Sequence, residues 1–135
     1  MSDKLPNLAD LIGVPFLDKG RDPKRGLDCW GLVRLVLQDE FNKSLPSFDH
    51  DSPDQFKLAD FVSECLPLAP VVKIPFDERQ PGDILLLRLW GVACHTAVII
   101  DNNMMLHSLH KQDSGIECYT GSKWIKRVEG VYRAT

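Results

Sequence analysis

Gly26-Leu27-Asp28-Cys29-Trp30-Gly31-Leu32-Val33 is the stretch that decides how this chain folds. Asp is a favoured helix N-cap, because its short carboxylate can accept a backbone N–H of the first turn. Leu32, Val33, Val36 and Leu37 then recur at helical spacing up to about Phe41. The stretch predicts a helix near 28–41 with Cys29 in its first turn. Unpaired N–H groups and the positive end of the macrodipole lie there, and both favour a thiolate, the reactive form of cysteine. Gly31 costs helix stability, yet it leaves bare backbone beside the thiol where a substrate could approach. Most free cysteines are small buried hydrophobes, so Cys29 needs a partner base before it can carry chemistry.

Upstream, Asn7 can cap a short helix over 8–12 that stops at Gly13. Pro15, Gly20, Pro23 and Gly26 make 14–27 a loop. Residues 44–83 hold eight acidic against three basic side chains and six of the nine prolines. They read as an acidic connector carrying one helix, which starts at Ser52-Pro53 with Gln55, presents Phe56, Ala59, Val62 and Leu66, and ends at Pro67. After Pro81-Gly82-Asp83 the pattern changes to strands over 84–89, 94–100, 104–109, 116–120 and 128–133, with one helical turn around Trp124 capped by Ser122. Helices first and strands after them predict an α+β fold, with the N-terminal helices packed on an antiparallel sheet or small barrel of five to six strands.

A length of 135 residues fits one domain, taken as 1–135. Hydrophobic residues make up 44% and charged residues 26%, which excludes a disordered or fibrous chain. A net charge of −3 gives no sequence-wide signal for nucleic acid. The longest apolar runs are four residues, so no membrane span is expected. Asp3, Lys4, Pro6 and Asp10 leave no room for the apolar core of a secretory signal peptide. Cys29, Cys65, Cys94 and Cys118 are scattered, without the paired spacing of a zinc site. Four free thiols of a reducing compartment are expected, with no metal and no cofactor.

The possible bases are His50, His95, His107 and His110. His50 falls in a polar loop. Hairpin register decides between the others. A three-residue loop at 101–103 sets Ala97 opposite His107, so His107 shares a face with His95. A two- or four-residue loop moves His107 to the other face, and His110 then opposes His95. A metal site from Cys94, His95, His107 and His110 is disfavoured, because neighbours in a strand point to opposite faces.

The 26–33 stretch resembles the nucleophile motif of the NlpC-type cysteine peptidases, bacterial cell-wall hydrolases with a papain-like fold. Pro81-Gly82-Asp83 before an apolar strand is similar to their next motif. His95-Thr96-Ala97-Val98-Ile99-Ile100 and Met105-Leu106-His107 are similar to their base strand and third-residue strand, and Gly130-Val131-Tyr132-Arg133 to their closing strand. Trp30, Val14-Pro15-Phe16 and Leu45-Pro46 look like the phage-tail branch, whose members are tail tip assembly proteins.

The resemblance selects the three-residue loop and implies a site. Cys29 would be the nucleophile, His95 the base and His107 the group that orients it, following the logic of the nucleophile–base–orienter triad. Phe16 would face substrate; Asp28 would face it as well as cap the helix, or cap it alone; and Trp30 and Trp90 would either wall the cleft or pack in the core. The implied reaction is hydrolysis of amide bonds in peptidoglycan stem peptides. The implied partners are tail tip proteins, and the implied location is the virion tail tip. Phe16 stands where many relatives have tyrosine, so that hydroxyl is missing here. Two other readings remain open: a structural tail-tip component with a vestigial site, and a cytoplasmic dipeptidase that recycles cell-wall peptides.

Overall fold

The computed structural model describes residues 8–47 and 69–135. His50, Cys65 and the helix expected over 53–66 lie outside the described residues.

Asp28 opens the only α-helix among these residues. Its backbone is extended (φ −90°, ψ −177°) and its carboxylate accepts the Gly31 N–H at 2.7 Å, so α1 runs Cys29–Glu40 as its sequence predicts. Trp30, Leu32, Val33, Val36 and Leu37 form its buried stripe. Ahead of it, the short helix expected over 8–12 is a 3-10 turn, Leu8–Leu11. Residues 14–27 are more ordered than a loop. Two short strands, β1 (Arg21–Asp22) and β2 (Gly26–Leu27), pair antiparallel across the Pro23 turn.

Six strands form the sheet: β3 (Val71–Ile74), β4 (Ile84–Leu89), β5 (Val92–Ile99), β6 (Met104–His107), β7 (Gly115–Cys118) and β8 (Val128–Ala134). Their order is β3-β8-β4-β5-β6-β7, and every neighbouring pair is antiparallel. Among the described residues β3 and β7 are the sheet's two edges, so the sheet is open and the barrel alternative is discarded. β3 corrects the reading of the last part of 44–83 as connector. Pro70 and Pro75 bracket the strand and hide it in composition, but proline is tolerated at the ends of an edge strand.

Pleat alternation splits the core in two. Ile84, Leu86, Val98 and Leu106 meet the stripe of α1. Leu85, Leu87, Ala97, Ile99, Met105 and Val131 face the other way and are covered by Tyr119 and Trp124. Asp83 of the Pro-Gly-Asp motif anchors the start of β4. It is buried, accepts the Gln80 N–H at 2.8 Å, and takes two hydrogen bonds of 2.9 Å from the Arg133 guanidinium. The motif is thus a corner that ties β4 to the closing strand.

Gly31 is required by packing. A Cβ there would lie 2.1 Å from the Gly20 carbonyl oxygen, so the space beside the thiol is filled by the chain's own loop and not open to a ligand. Helix propensity alone would favour alanine by about 1 kcal/mol. The clash reverses the sign: Gly31→Ala is expected to destabilise the domain by about 1–3 kcal/mol in urea unfolding. A variant as stable as the wild type would contradict this close approach.

Candidate active site

The N-cap that starts α1 also sets the surroundings of Cys29. Asp28 is buried, and the oxygen that accepts the Gly31 N–H also binds Arg21 Nη1 at 2.8 Å. Arg21 in turn donates to the Gly20 carbonyl, the Ser47 hydroxyl and the Ser47 carbonyl. One residue further on, the thiol is only partly exposed and lies against Thr96 of β5.

Burial pushes the Cys29 thiol up to about 11, and the Asp28 carboxylate adds to the rise. The hydroxyl and backbone N–H of Thr96 act in the opposite sense, favouring the charged sulfur. Thr96 is buried, and apart from the sulfur its hydroxyl has no hydrogen-bond partner in this resting arrangement. The expectation of a standing thiolate is therefore corrected. Desolvation and a neighbouring carboxylate outweigh the helix terminus, and the resting sulfur is a neutral thiol.

His95 immediately precedes Thr96. β5 is irregular here: His95 pairs with Leu87 but Ala93 pairs with Arg88, leaving Cys94 as an extra bulged residue. A bulge interrupts the pleat and redirects side chains, as often happens beside functional sites. Strict alternation therefore no longer separates Cys94 from His95. Among the described residues, no group of three or more His, Cys, Asp or Glu side chains is placed to hold a metal ion.

The hairpin after β5 turns through three residues. Ile100 N donates to Met104 O at 2.9 Å, and Val98 and Ile99 pair with Leu106 and Met105. The next pair in that register is Ala97 with His107, so His107 lies diagonal to His95 on one face. The rings meet: His95 Nε2 is 2.9 Å from His107 Nδ1. Both are buried. Burial is the main cause that lowers each, with His95 reaching about 3, so both imidazoles are neutral at pH 7. His110 leaves the sheet and meets the Phe16 ring edge-on, with centroids 5.1 Å apart.

The hydrogen-bond chain continues past the residues singled out in the sequence. His107 Nε2 lies 2.9 Å from Glu117 Oε1, and Glu117 Oε2 accepts from Lys123 Nζ at 2.9 Å. Partial burial works to raise Glu117, but hydrogen bonding from Lys123, Trp124 and His107 outweighs it and holds the carboxyl at about 2. Trp124 stacks on His95 and meets His107 edge-on, closing the far side of the pair.

The structure brings Cys29 to the residue after His95, and His95 to His107. Trp30 goes elsewhere. It is buried in the core under α1 with its indole N–H on the Pro46 carbonyl at 2.9 Å, so it cannot wall a cleft. Trp90 is the opposite case, 69% exposed with φ 53° at the β4–β5 turn, and touches no core cluster. Phe16 is half-buried beside Leu27. Asp28 is engaged as cap and ion-pair partner. Glu117 and Thr96 were missed from sequence. The first becomes visible once the β6–β7 register, Met105 to Glu117, is known. The second is one hydroxyl in an apolar strand.

Fold and site define a class: an α+β domain in which a cysteine at a capped helix start meets an antiparallel sheet carrying a hydrogen-bonded histidine pair. A family model described as the NlpC/P60 family matches residues 13–133, and the chain belongs to that family. The chain is 24% identical over 119 residues to an Escherichia coli K12 protein named murein DD-endopeptidase MepS/murein LD-carboxypeptidase, covering 88% of this chain and 55% of that protein. It is 27% identical to a Bacillus subtilis gamma-DL-glutamyl hydrolase, over 85% of this chain and 25% of that protein. The chain thus spans about half or less of these relatives. Among solved structures, the peptidoglycan hydrolase RipB of Mycobacterium tuberculosis superposes with a TM-score of 0.59 at 18% identity, covering 93% of this chain and 59% of that one. A Staphylococcus aureus NLP/P60 family protein superposes with a TM-score of 0.63 at 21% identity, covering 94% and 39%.

Two outcomes follow from the electrostatics. Cys118 is exposed and its thiol is lowered by hydrogen bonding from Thr120, whereas Cys29 and Cys94 are raised by burial. Iodoacetamide near neutral pH should therefore modify Cys118 before Cys29 or Cys94, as read by peptide mass spectrometry. Cys29 reacting first would restore the standing thiolate. The second outcome is a pH dependence of stability. The folded pKa of His95 lies below its ordinary value of 6.5, so the unfolded chain binds the extra proton between 6.5 and about 3. Stability from this group is full above pH 6.5 and is lost as pH falls through that window. Urea unfolding at pH 5.0 should show about 2 kcal/mol less stability than at pH 7.5, at about 1.4 kcal/mol per pH unit. His95→Gln should shrink the difference; a wild type with equal stability at both pH values would refute the assignment.

Proposed function

We propose that the domain is a cysteine peptidase that hydrolyses amide bonds in peptidoglycan stem peptides. The observation that carries this reading is the hydrogen-bonded His95–His107 pair, which begins one residue from where β5 meets Cys29. The Nε2 of His95 is committed to His107, which leaves Nδ1 as the nitrogen available to the thiol. Cell wall as substrate rests on the family and on relatives whose names specify murein and peptidoglycan.

In this mechanism the thiol is neutral until substrate arrives. His95 Nδ1 takes the Cys29 proton as sulfur attacks the scissile carbonyl carbon. Thr96 stabilises the charge developing on sulfur through its otherwise unpartnered hydroxyl. The Cys29 backbone N–H, at the helix start, donates to the carbonyl oxygen as it becomes an oxyanion. Collapse breaks the C–N bond, and the imidazolium gives its proton to the leaving amine. Water, deprotonated by His95, then cleaves the thioester and restores the thiol.

A phage or phage-like tail as carrier, with tail tip proteins as partners and the virion tail tip as location, is the finer part of the proposal. Its support is the sequence signature of Trp30, Val14-Pro15-Phe16 and Leu45-Pro46. Trp30 and Pro46 of that signature are joined by a hydrogen bond, so the signature includes a packed contact of the core. Tail genes beside the encoding gene would support this; a neighbourhood of cell-wall recycling genes would refute it. No specific observation favours the vestigial or recycling readings.

Purified sacculi provide the test of chemistry. The wild type should release peptide fragments detectable by liquid chromatography. Cys29→Ala should lose that activity by at least about 10⁴-fold, the scale for removal of a nucleophile acting in a triad. Equal release by the two proteins, or none by a folded wild type, would overturn the peptidase reading.

A further inference from the structure

Four groups stand in one line: His95 Nε2 to His107 Nδ1, His107 Nε2 to Glu117 Oε1, and Glu117 Oε2 to Lys123 Nζ, each step 2.9 Å. The donor and acceptor roles along this line are set from its far end. An ionised carboxylate can only accept, so His107 Nε2 must carry a hydrogen. A neutral imidazole has one N–H, so His107 Nδ1 must be a bare acceptor. His95 Nε2 must therefore donate to it, and His95 Nδ1 is left bare. That is the form a general base needs if Nδ1 is the atom that takes the thiol proton.

We propose that Glu117 is a positioning residue of the site. It acts through His107 to hold both imidazoles in the Nε2–H tautomer and so aims a free lone pair of His95 at the nucleophile. The proposal rests on the peptidase reading above. Glu117 touches neither substrate nor thiol; it acts through another residue, as a carboxylate behind a histidine does in hydrolytic triads. Lys123 completes the line and keeps the carboxyl ionised. The Trp124 ring, between β7 and β8, covers the histidine pair, and Lys123 Nζ and the Arg127 guanidinium lie 5.5 and 5.4 Å from its centroid. On the helix side, Cys29 lies against Thr96, the residue after His95. Glu117 holds its place because it pairs with Met105 across β6–β7, which sets it diagonal to His107 on one face.

The inference explains how a neutral histidine serves as third member. His107 alone has two tautomers, and one of them would point a hydrogen at His95 and force the wrong nitrogen of the base to be free. A carboxylate behind it removes that choice. When His95 accepts the thiol proton, the same negative charge also favours the imidazolium through His107.

Nitrogen-15-labelled histidine tests this without relying on turnover. In the wild type at pH 7.5, long-range nitrogen–proton correlation spectra should show both His95 and His107 as Nε2–H tautomers. E117L removes charge and acceptor, and should give His107 a mixed tautomer population. E117Q loses the charge, and its amide can turn either its oxygen or its NH2 to His107 Nε2, so its tautomer population should lie between those of the wild type and E117L. On sacculi, E117L should lower kcat about 10- to 100-fold, the range for groups that orient a functional imidazole, with KM little changed, and E117Q should recover part of the loss. Wild-type tautomers in folded E117L overturn the proposal whatever its rate, and so does an unchanged kcat. If E117L does not fold, E117A takes its place, and wild-type tautomers in folded E117A overturn the proposal. Failure of the peptidase reading looks different: Cys29→Ala would match the wild type on sacculi, and the tautomer spectra would still decide the role of Glu117.

Discussion

The carboxylate of Asp28 is the constraint on which the site is built. It is buried, and a buried charge is tolerated only when it is paired and hydrogen-bonded. Arg21 and the Gly31 N–H supply both from a single oxygen's surroundings. That requirement fixes where α1 begins and therefore where Cys29 stands. It also recruits the preceding loop, because Arg21 reaches on to Gly20 and Ser47. The loop then seats its Gly20 carbonyl on Gly31, where any side chain would collide. Ser108, just past β6, donates to the Leu27 carbonyl at 3.0 Å and locks this assembly to the sheet. The sheet-to-helix geometry of the nucleophile is thus held from two sides.

The same carboxylate that places the cysteine also restrains it. A helix start favours a thiolate by a modest, distance-limited effect. A buried neighbour of like charge and the loss of solvent oppose that effect, and they win. His95 is subject to parallel logic. Enclosed by His107 and Trp124, it gains no charge at neutral pH although Glu117 lies two hydrogen bonds away. A neutral thiol beside a neutral imidazole stores no ion pair in the resting state. Charge separation then coincides with bond formation, when Thr96 and the helix-start N–H have a charge to stabilise. Preorganised dipoles are worth most under that condition, since they need no rearrangement at the moment of reaction.

Much of this was legible in the residues, for identifiable reasons. Asp28 and the 3.6-residue spacing of Leu32, Val33, Val36 and Leu37 locate α1, because capping and amphipathicity are local effects. The His95–His107 face followed from one loop length, since a period of two makes register a matter of odd or even. The failures lie where tertiary partners decide. β3 is four residues between prolines and exists only because β8 offers an edge. β1 and β2 are two residues each, below the length at which any periodicity can register. The resemblance puts Trp30 at the substrate, but helical geometry turns it inward to Pro46. The standing thiolate was a local inference defeated by burial, a quantity that sequence does not carry.

Glu117 shows why a site is harder to read than a fold. Its strand has no distinctive pattern, and an acidic residue there is ordinarily a solvated one. What singles it out is the sum of two registers, β5 to β6 and β6 to β7, which place it diagonal to His107 just as His107 is diagonal to His95. Each diagonal step moves one strand outward along the same face, so the hydrogen-bond line runs across the sheet from β5 to its edge at β7 and ends on Lys123. The three-residue hairpin loop puts His107 on the face of His95, and the β6–β7 register puts Glu117 on the same face. The length of the Asp101–Asn103 turn, far from the thiol, therefore governs the chemistry of the base as much as any residue that touches it.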